Sequence, residues 1–159
     1  MLDRKAVDAA MKGQDVVYAN LTGGDLEQQA QSILASMKEA EVKSLIFITS
    51  LGIYDEVSGK FGEWNRKAID AYLPPFRKAA DAIEALGVDY TILRPVWLTD
   101  EDEIDYETTT RHEPFKGTEV SRKSVASLVV DCIRDSGRYL KQNLGVDKPN
   151  TDGDKPAFM

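Results

Sequence analysis

The stretch SLIFITSLGIYD (44–55) decides the fold. Its first seven residues form a nearly continuous apolar run bounded by polar ones. Such a run predicts a strand buried on both faces, as in a parallel sheet covered by helices, rather than the alternating pattern of a half-exposed strand. The elements on either side agree. DVVYANL (15–21) predicts an earlier strand and DYTILRP (89–95) a later one, stopped by Pro95. Between them lie helical patterns. DRKAVDAAMKG (3–13) starts on Asp3 as N-cap, carries Ala6, Val7, Ala10 and Met11 on one face, and stops at Gly13. A helix capped by Asp25 places Leu26, Ala30, Ile33, Leu34 and Met37 on one buried face. Another starts at Pro74-Pro75, where a first turn tolerates proline. Its apolar face is Phe76, Ala79, Ala80, Ile83 and Leu86, and Gly87 ends it. A loop rich in Gly, Asp and aromatics is expected over 52–74.

Downstream, an acidic loop leads to a short strand around 118–121. Ser121 then starts a helix carrying Val125, Leu128, Val129, Cys132 and Ile133. NLGV (143–146) is a further strand and TDGDKPAFM a polar tail. Strands alternating with helices over short connections imply βαβ crossovers, a parallel sheet and one doubly wound α/β domain over 1–159. Ligands of such sheets sit beyond the C-terminal strand ends. That rule singles out Asn20-Leu21-Thr22, Thr49-Ser50-Leu51 and Arg94-Pro95-Val96-Trp97.

Composition narrows the function classes. The chain has 159 residues, 42% of them hydrophobic and 30% charged, with a net charge of −7. That balance argues against a nucleic-acid or anionic-membrane surface, which needs clustered Lys and Arg. A single cysteine, Cys132, leaves no internal disulfide and suggests a reducing, cytoplasmic setting. The start MLDRKAVDAAMK lacks the apolar core of a signal peptide, and no stretch reaches the ~18 apolar residues of a membrane span. TDEDEIDYE (99–107) lacks the alternating ligands and central glycine of a calcium loop. His112 is the sole histidine, so no second one is available for a histidine zinc site, and no metal site is expected.

DVVYANL, FITSLGIYD, GVDYTILRP and EVSRKSVASLVVDCI, in that order and spacing, together resemble the NmrA-like, NAD(P)-binding branch of the atypical short-chain dehydrogenases/reductases. The resemblance implies a Rossmann-like sheet and NAD or NADP as cofactor. It implies cofactor contacts at Asn20, Leu21, Thr22, Ser50, Leu51, Pro95, Val96 and Trp97, with Ser50 facing the nicotinamide or substrate as a candidate catalytic group. An unknown small-molecule substrate would lie toward Tyr54, Phe61 and Trp64, although Trp64 and Trp97 read first as packing residues rather than substrate platforms. The family's glycine-rich phosphate turn is not found, so the chain is expected to correspond to the C-terminal two-thirds of the usual domain. Gly23-Gly24 is a poor substitute, because Asp25 puts a carboxylate where phosphate charge would go. The strand 15–21 would then form an apolar edge, open to self-association or to cover by another segment.

The superfamily's acid–base pair, Tyr-x-x-x-Lys, sets the two groups about one helical turn apart. Here Tyr72 and Lys78 are six residues apart, roughly 600° around a helix, with Pro74-Pro75 between them. The resemblance places Leu73 at the tyrosine position and Arg77 at the lysine position. Arginine can keep a positive charge beside a cofactor ribose; leucine cannot transfer a proton. Three readings follow: an oxidoreductase-type protein, a non-catalytic dinucleotide sensor or regulator, and a form that binds no cofactor.

Overall fold

The computed structural model describes residues 3–159. In chain order the elements are α1 (Arg4–Met11), β1 (Val16–Asn20), α2 (Leu26–Glu39), β2 (Ser44–Ile48), α3 (Gly59–Ile69), a 3-10 turn (Asp70–Tyr72) and α4 (Leu73–Ala85). They continue with β3 (Asp89–Pro95), β4 (Trp97–Thr99), β5 (Glu107–Thr109), β6 (Glu119–Ser121), α5 (Arg122–Arg134) and β7 (Gln142–Asp147). The main sheet runs β1-β2-β3-β7-β5. Its first four strands are parallel, in a register that pairs Asn20 with Ile48 and Ile48 with Leu93. The doubly wound α/β reading therefore holds.

Each face of the sheet buries its own core. On one face, α1, α2 and α4 cover Leu45, Phe47 and Ile92. On the other, α5 and α3 cover Ile46, Leu93, Leu144 and Val146. Alternate residues of β2 and β3 thus point to opposite cores, which is why both strands read as unbroken apolar runs. Phe47, Ile92 and Leu93 are fully buried, and each such side chain contributes about 1.5–3 kcal/mol to folding.

Several local expectations need correction. The 52–74 segment contains helix α3, which buries Phe61, Gly62 and Asn65. Gly62 looked like a loop residue, yet its role is close packing. A Cβ there would collide with the Val57 carbonyl, so only glycine lets α3 sit this near the backbone. The 118–121 strand exists as β6, but it pairs with β4 in a two-stranded ribbon rather than with the main sheet. Strand β5 lies partly within the segment expected to be an acidic loop and runs antiparallel to β7.

Other corrections concern faces and caps. Leu86 and Ile133, expected on buried faces, are 62% and 47% exposed. Leu86 lies past the last turn of α4 as its C-cap, and Ile133 sits on the flank of α5 beside the exposed Val130. Ala6 and Ala10 are exposed because the apolar side of α1 that meets the core consists of Val7 and Met11. Asp25 occupies the N-cap position of α2, but its carboxylate accepts from the Gln29 side chain (2.7 Å) rather than from a helix N–H.

Strand β1 pairs only with β2, so one of its edges has no strand partner among the described residues. Tyr18 is 48% exposed there, and Val16 and Val17 are half-buried.

Candidate functional site

A groove of about 420 Å³ opens at the C-terminal ends of β1, β2 and β3. Its walls come from every strand end that the sequence singled out. Asn20 ends β1, with Leu21 and Thr22 after it; Ile48 ends β2, with Thr49, Ser50 and Leu51 after it; Pro95 ends β3, and Val96, Trp97 and Leu98 lead into β4. Ile69, Tyr72 and Phe76 close it from the α3–α4 side, and Arg122 stands at the first residue of α5. Eight of the nine residues nominated as cofactor contacts line this one groove. The ninth does not. Arg77 Nε bonds the Asp81 carboxylate at 2.9 Å, and its Nη1 donates to the Ile53 carbonyl.

Main-chain hydrogen bonds hold the walls. Thr49 N–H donates to the Leu93 carbonyl (2.8 Å), Leu51 N–H to Pro95, and Val96 N–H to Val146. The Thr49 hydroxyl adds a second bond to the Leu93 carbonyl. These bonds tie the end of β2 to the end of β3, so that Ser50 and Val96 share one rigid rim. Trp97 is set by two contacts. Its indole N–H donates to Asn65 Oδ1 (2.9 Å), and its ring lies 4.9 Å from that of Trp64. Asn65 is itself buried in α3, so the α3 helix missed by sequence reasoning is what positions Trp97.

Behind the rim, Arg94 is fully buried and forms an ion pair with Glu56. Arg94 Nε also donates to Asn143 Oδ1 at 2.8 Å. Glu56 accepts from the backbone N–H groups of Gly52 and Tyr54, which fixes the turn after Ser50. Burial lowers the Arg94 pKa, opposed by the Glu56 carboxylate. Tyr54 belongs to this cluster. Its hydroxyl accepts from Asn143 Nδ2 (2.8 Å), and the Arg77 and Arg111 guanidiniums lie 4.5 and 3.9 Å from its ring centre. Burial pushes the Tyr54 phenol up to about 12, with the Glu84 carboxylate adding to the effect.

The structure does not gather the three aromatics nominated for substrate. Tyr54 packs against the α2–α4 core, while Phe61 and Trp64 belong to the core on the opposite face. Phe61 and Trp64 stack with ring centres 6.2 Å apart, and none of the three lines the groove. Residues that sequence reasoning passed over do line it: Ile69, Tyr72, Phe76, Leu98 and Arg122. The sequence offers Tyr72 only as one half of a failed acid–base pair. Its place in a 3-10 turn ahead of α4 turns it onto the groove wall.

A larger cavity, about 630 Å³, lies at the other end of the sheet between α2 and α4, lined by Leu34, Lys38, Lys43, Leu86 and Asp89 among others. It sits at the N-terminal ends of β2 and β3. Ligands of open α/β sheets bind beyond the opposite, C-terminal ends. The groove is therefore the stronger site.

The groove also fits part of a dinucleotide. Uncharged polar groups at Asn20, Thr22, Thr49 and Ser50, set among apolar walls, suit the carboxamide and hydroxyls of a nicotinamide riboside. The described residues contain no glycine-lined cradle for its pyrophosphate. Beside Gly23 lies Asp25, whose carboxylate is 3.0 Å from where a Cβ on Gly23 would stand.

This geometry defines an α/β protein of the dinucleotide-binding class. A family model described as NAD(P)H-binding matches residues 1–136, and the chain belongs to that family. A Rossmann-fold NAD(P)-binding family protein from Shigella flexneri is 55% identical, with a TM-score of 0.81 over 99% of this chain and 72% of that one. A short-chain dehydrogenase/reductase from Veillonella parvula, solved in complex with NADP, superposes with a TM-score of 0.91 at 24% identity, covering 98% of this chain and 73% of its own. ChuY, an anaerobilin reductase from Escherichia coli, gives a TM-score of 0.80 at 19% identity, over 95% and 73% of the two chains. No curated protein matches the sequence. The cofactor class read from the sequence, NAD or NADP, is that of the family.

Proposed function

We propose that the groove holds the nicotinamide end of NAD(P)H beside a small-molecule substrate, and that the protein acts as an oxidoreductase. One observation carries the reading: eight residues nominated from three separate strand ends converge on one groove. The dinucleotide, when bound, supplies hydride chemistry. The chain's own residues do the rest. Asn20, Thr22 and Ser50 offer hydrogen bonds, while Pro95, Val96 and Trp97 form a wall that excludes water from the reacting face. Leu73 is buried and cannot transfer a proton. Tyr72 and Ser50 line the groove and carry hydroxyls, and they are the candidates for that step.

A second reading, a dinucleotide sensor without turnover, is favoured by Leu73 and by the engagement of Arg77 with Asp81 and Ile53. NADPH oxidation against a panel of carbonyl and quinone substrates separates the two. Turnover that falls in Ser50→Ala or Tyr72→Phe supports the oxidoreductase. NADPH binding without oxidation of any substrate supports the sensor.

We place the protein in the cytoplasm: its one cysteine is free and buried, and no helix among the described residues is long and apolar enough to cross a membrane. The open β1 edge is proposed as a self-association surface.

A further inference from the structure

We propose that Arg122 is the specificity-determining residue of the groove and that it selects a substrate with a carboxylate on an otherwise apolar body. The inference rests on reading the groove as the substrate cleft. Most of the fifteen lining residues are apolar, five are uncharged polar (Asn20, Thr22, Thr49, Ser50 and Tyr72), and Arg122 alone carries a charge. In a chain of net charge −7, a lone cation on an apolar wall is not what composition supplies by default.

Its position is also locally unfavourable. Arg122 and Lys123 open α5, where the helix dipole favours acids over cations. Both cations meet carboxylates of the acidic loop, Lys123 at Asp102 and Arg122 at Asp100, but of the two only Arg122 also lines the groove. The β4–β6 ribbon pairs Thr99 with Ser121 and so fixes Arg122 at the end of the Trp97–Thr99 strand, next to the wall assigned to the nicotinamide.

The present partner of Arg122 leaves it available. Nη1 bonds Asp100 Oδ1 at 2.6 Å, but the Asp100 side chain is 90% exposed and that of Arg122 57% exposed. Exposed pairs of this kind contribute little and exchange readily. Asp100, Glu101 and Glu119 border Arg122 on the side of a neighbouring surface depression, whereas the groove side holds no carboxylate. An anionic ligand would therefore approach from the groove. The planar guanidinium fork matches a carboxylate with two parallel hydrogen bonds.

The test uses a naphthalene carboxylate and its neutral carboxamide as probes, followed by quenching of the Trp64–Trp97 fluorescence and by amide shifts at Leu98 and Arg122. The acid is expected to bind roughly tenfold tighter than the amide, the fold-change of one charge-assisted hydrogen bond. Arg122→Gln should erase the preference while leaving amide binding unchanged, and Asp100→Asn should strengthen acid binding by removing the competing carboxylate. Equal binding of acid and amide, a preference that survives Arg122→Gln, or no acid binding at millimolar concentration overturns the proposal. Displacement of the acid by inorganic pyrophosphate at lower concentration also overturns it, since that assigns Arg122 to a cofactor phosphate. NADPH binding is measured separately on both proteins. Its absence in the wild type counts against the proposed function and leaves the acid preference to be judged alone.

Discussion

Asp147 offers the sharpest physical test of the fold, because its carboxyl is fully buried at the end of β7. Oδ2 accepts from the Gly117 N–H at 2.7 Å, while Oδ1 has no partner among the described residues. Burial raises its pKa from 3.8 to about 6, with the facing Glu107 adding to the rise and the Gly117 bond and Lys116 opposing it. The folded value lies above the unfolded one, so the native state binds the extra proton. Stability from this group is therefore present at low pH and is lost as pH climbs from about 4 through about 6. Two pKa units correspond to about 3 kcal/mol, of which about 2 kcal/mol falls between about pH 4.5 and about pH 7.5. Asp147→Asn keeps an acceptor for Gly117 and removes the titration. Urea denaturation of both proteins at these two pH values isolates the effect, since every other group titrates in both. The variant's stability relative to wild type should rise by about 2 kcal/mol toward the higher pH, or about 4–8 °C in Tm for a domain of this size. Parallel pH profiles for the two proteins would refute the reasoning.

Further expectations concern the scaffold of the groove. Glu56→Gln strands the buried Arg94 guanidinium without its counter-charge and should cost about 3–5 kcal/mol in denaturant unfolding, less when combined with Arg94→Met. The Cys132 thiol, pushed up to about 11 by burial, should resist alkylation in the native protein at mildly alkaline pH and react once the chain is unfolded. Tyr18→Lys puts a charge on the open β1 edge and should lower self-association in sedimentation velocity, and a wild type that stays monomeric at high concentration removes that surface from consideration.

The strands and the groove's main walls were legible because parallel β/α order forces their geometry. Ser44–Ile48 and Asp89–Pro95 are buried on both faces, and their C-terminal ends must share one crevice. Helix α3 was not legible. Its glycines at 59 and 62 read as turn residues, and only the approach of the Val57 backbone explains Gly62. Arg77 looked available because a side chain's partner from another loop, the Ile53 carbonyl, leaves no mark in sequence. Tyr54 and Trp64 are ten residues apart, yet the chain crosses from one face of the sheet to the other between them. Arg122 was hidden for a similar reason, since the β4–β6 pairing that carries α5 to the groove joins residues far apart in the chain.

The central claim is that NAD(P)H binds at the strand-end groove. Amide chemical-shift mapping of the protein titrated with NADPH tests it most directly. The account predicts saturable shifts confined to Asn20–Thr22, Thr49–Leu51 and Val96–Leu98, attenuated by Trp97→Ala. Shifts centred instead on Leu34, Lys43 and Leu86 at the opposite end of the sheet, or none at millimolar NADPH, would contradict it.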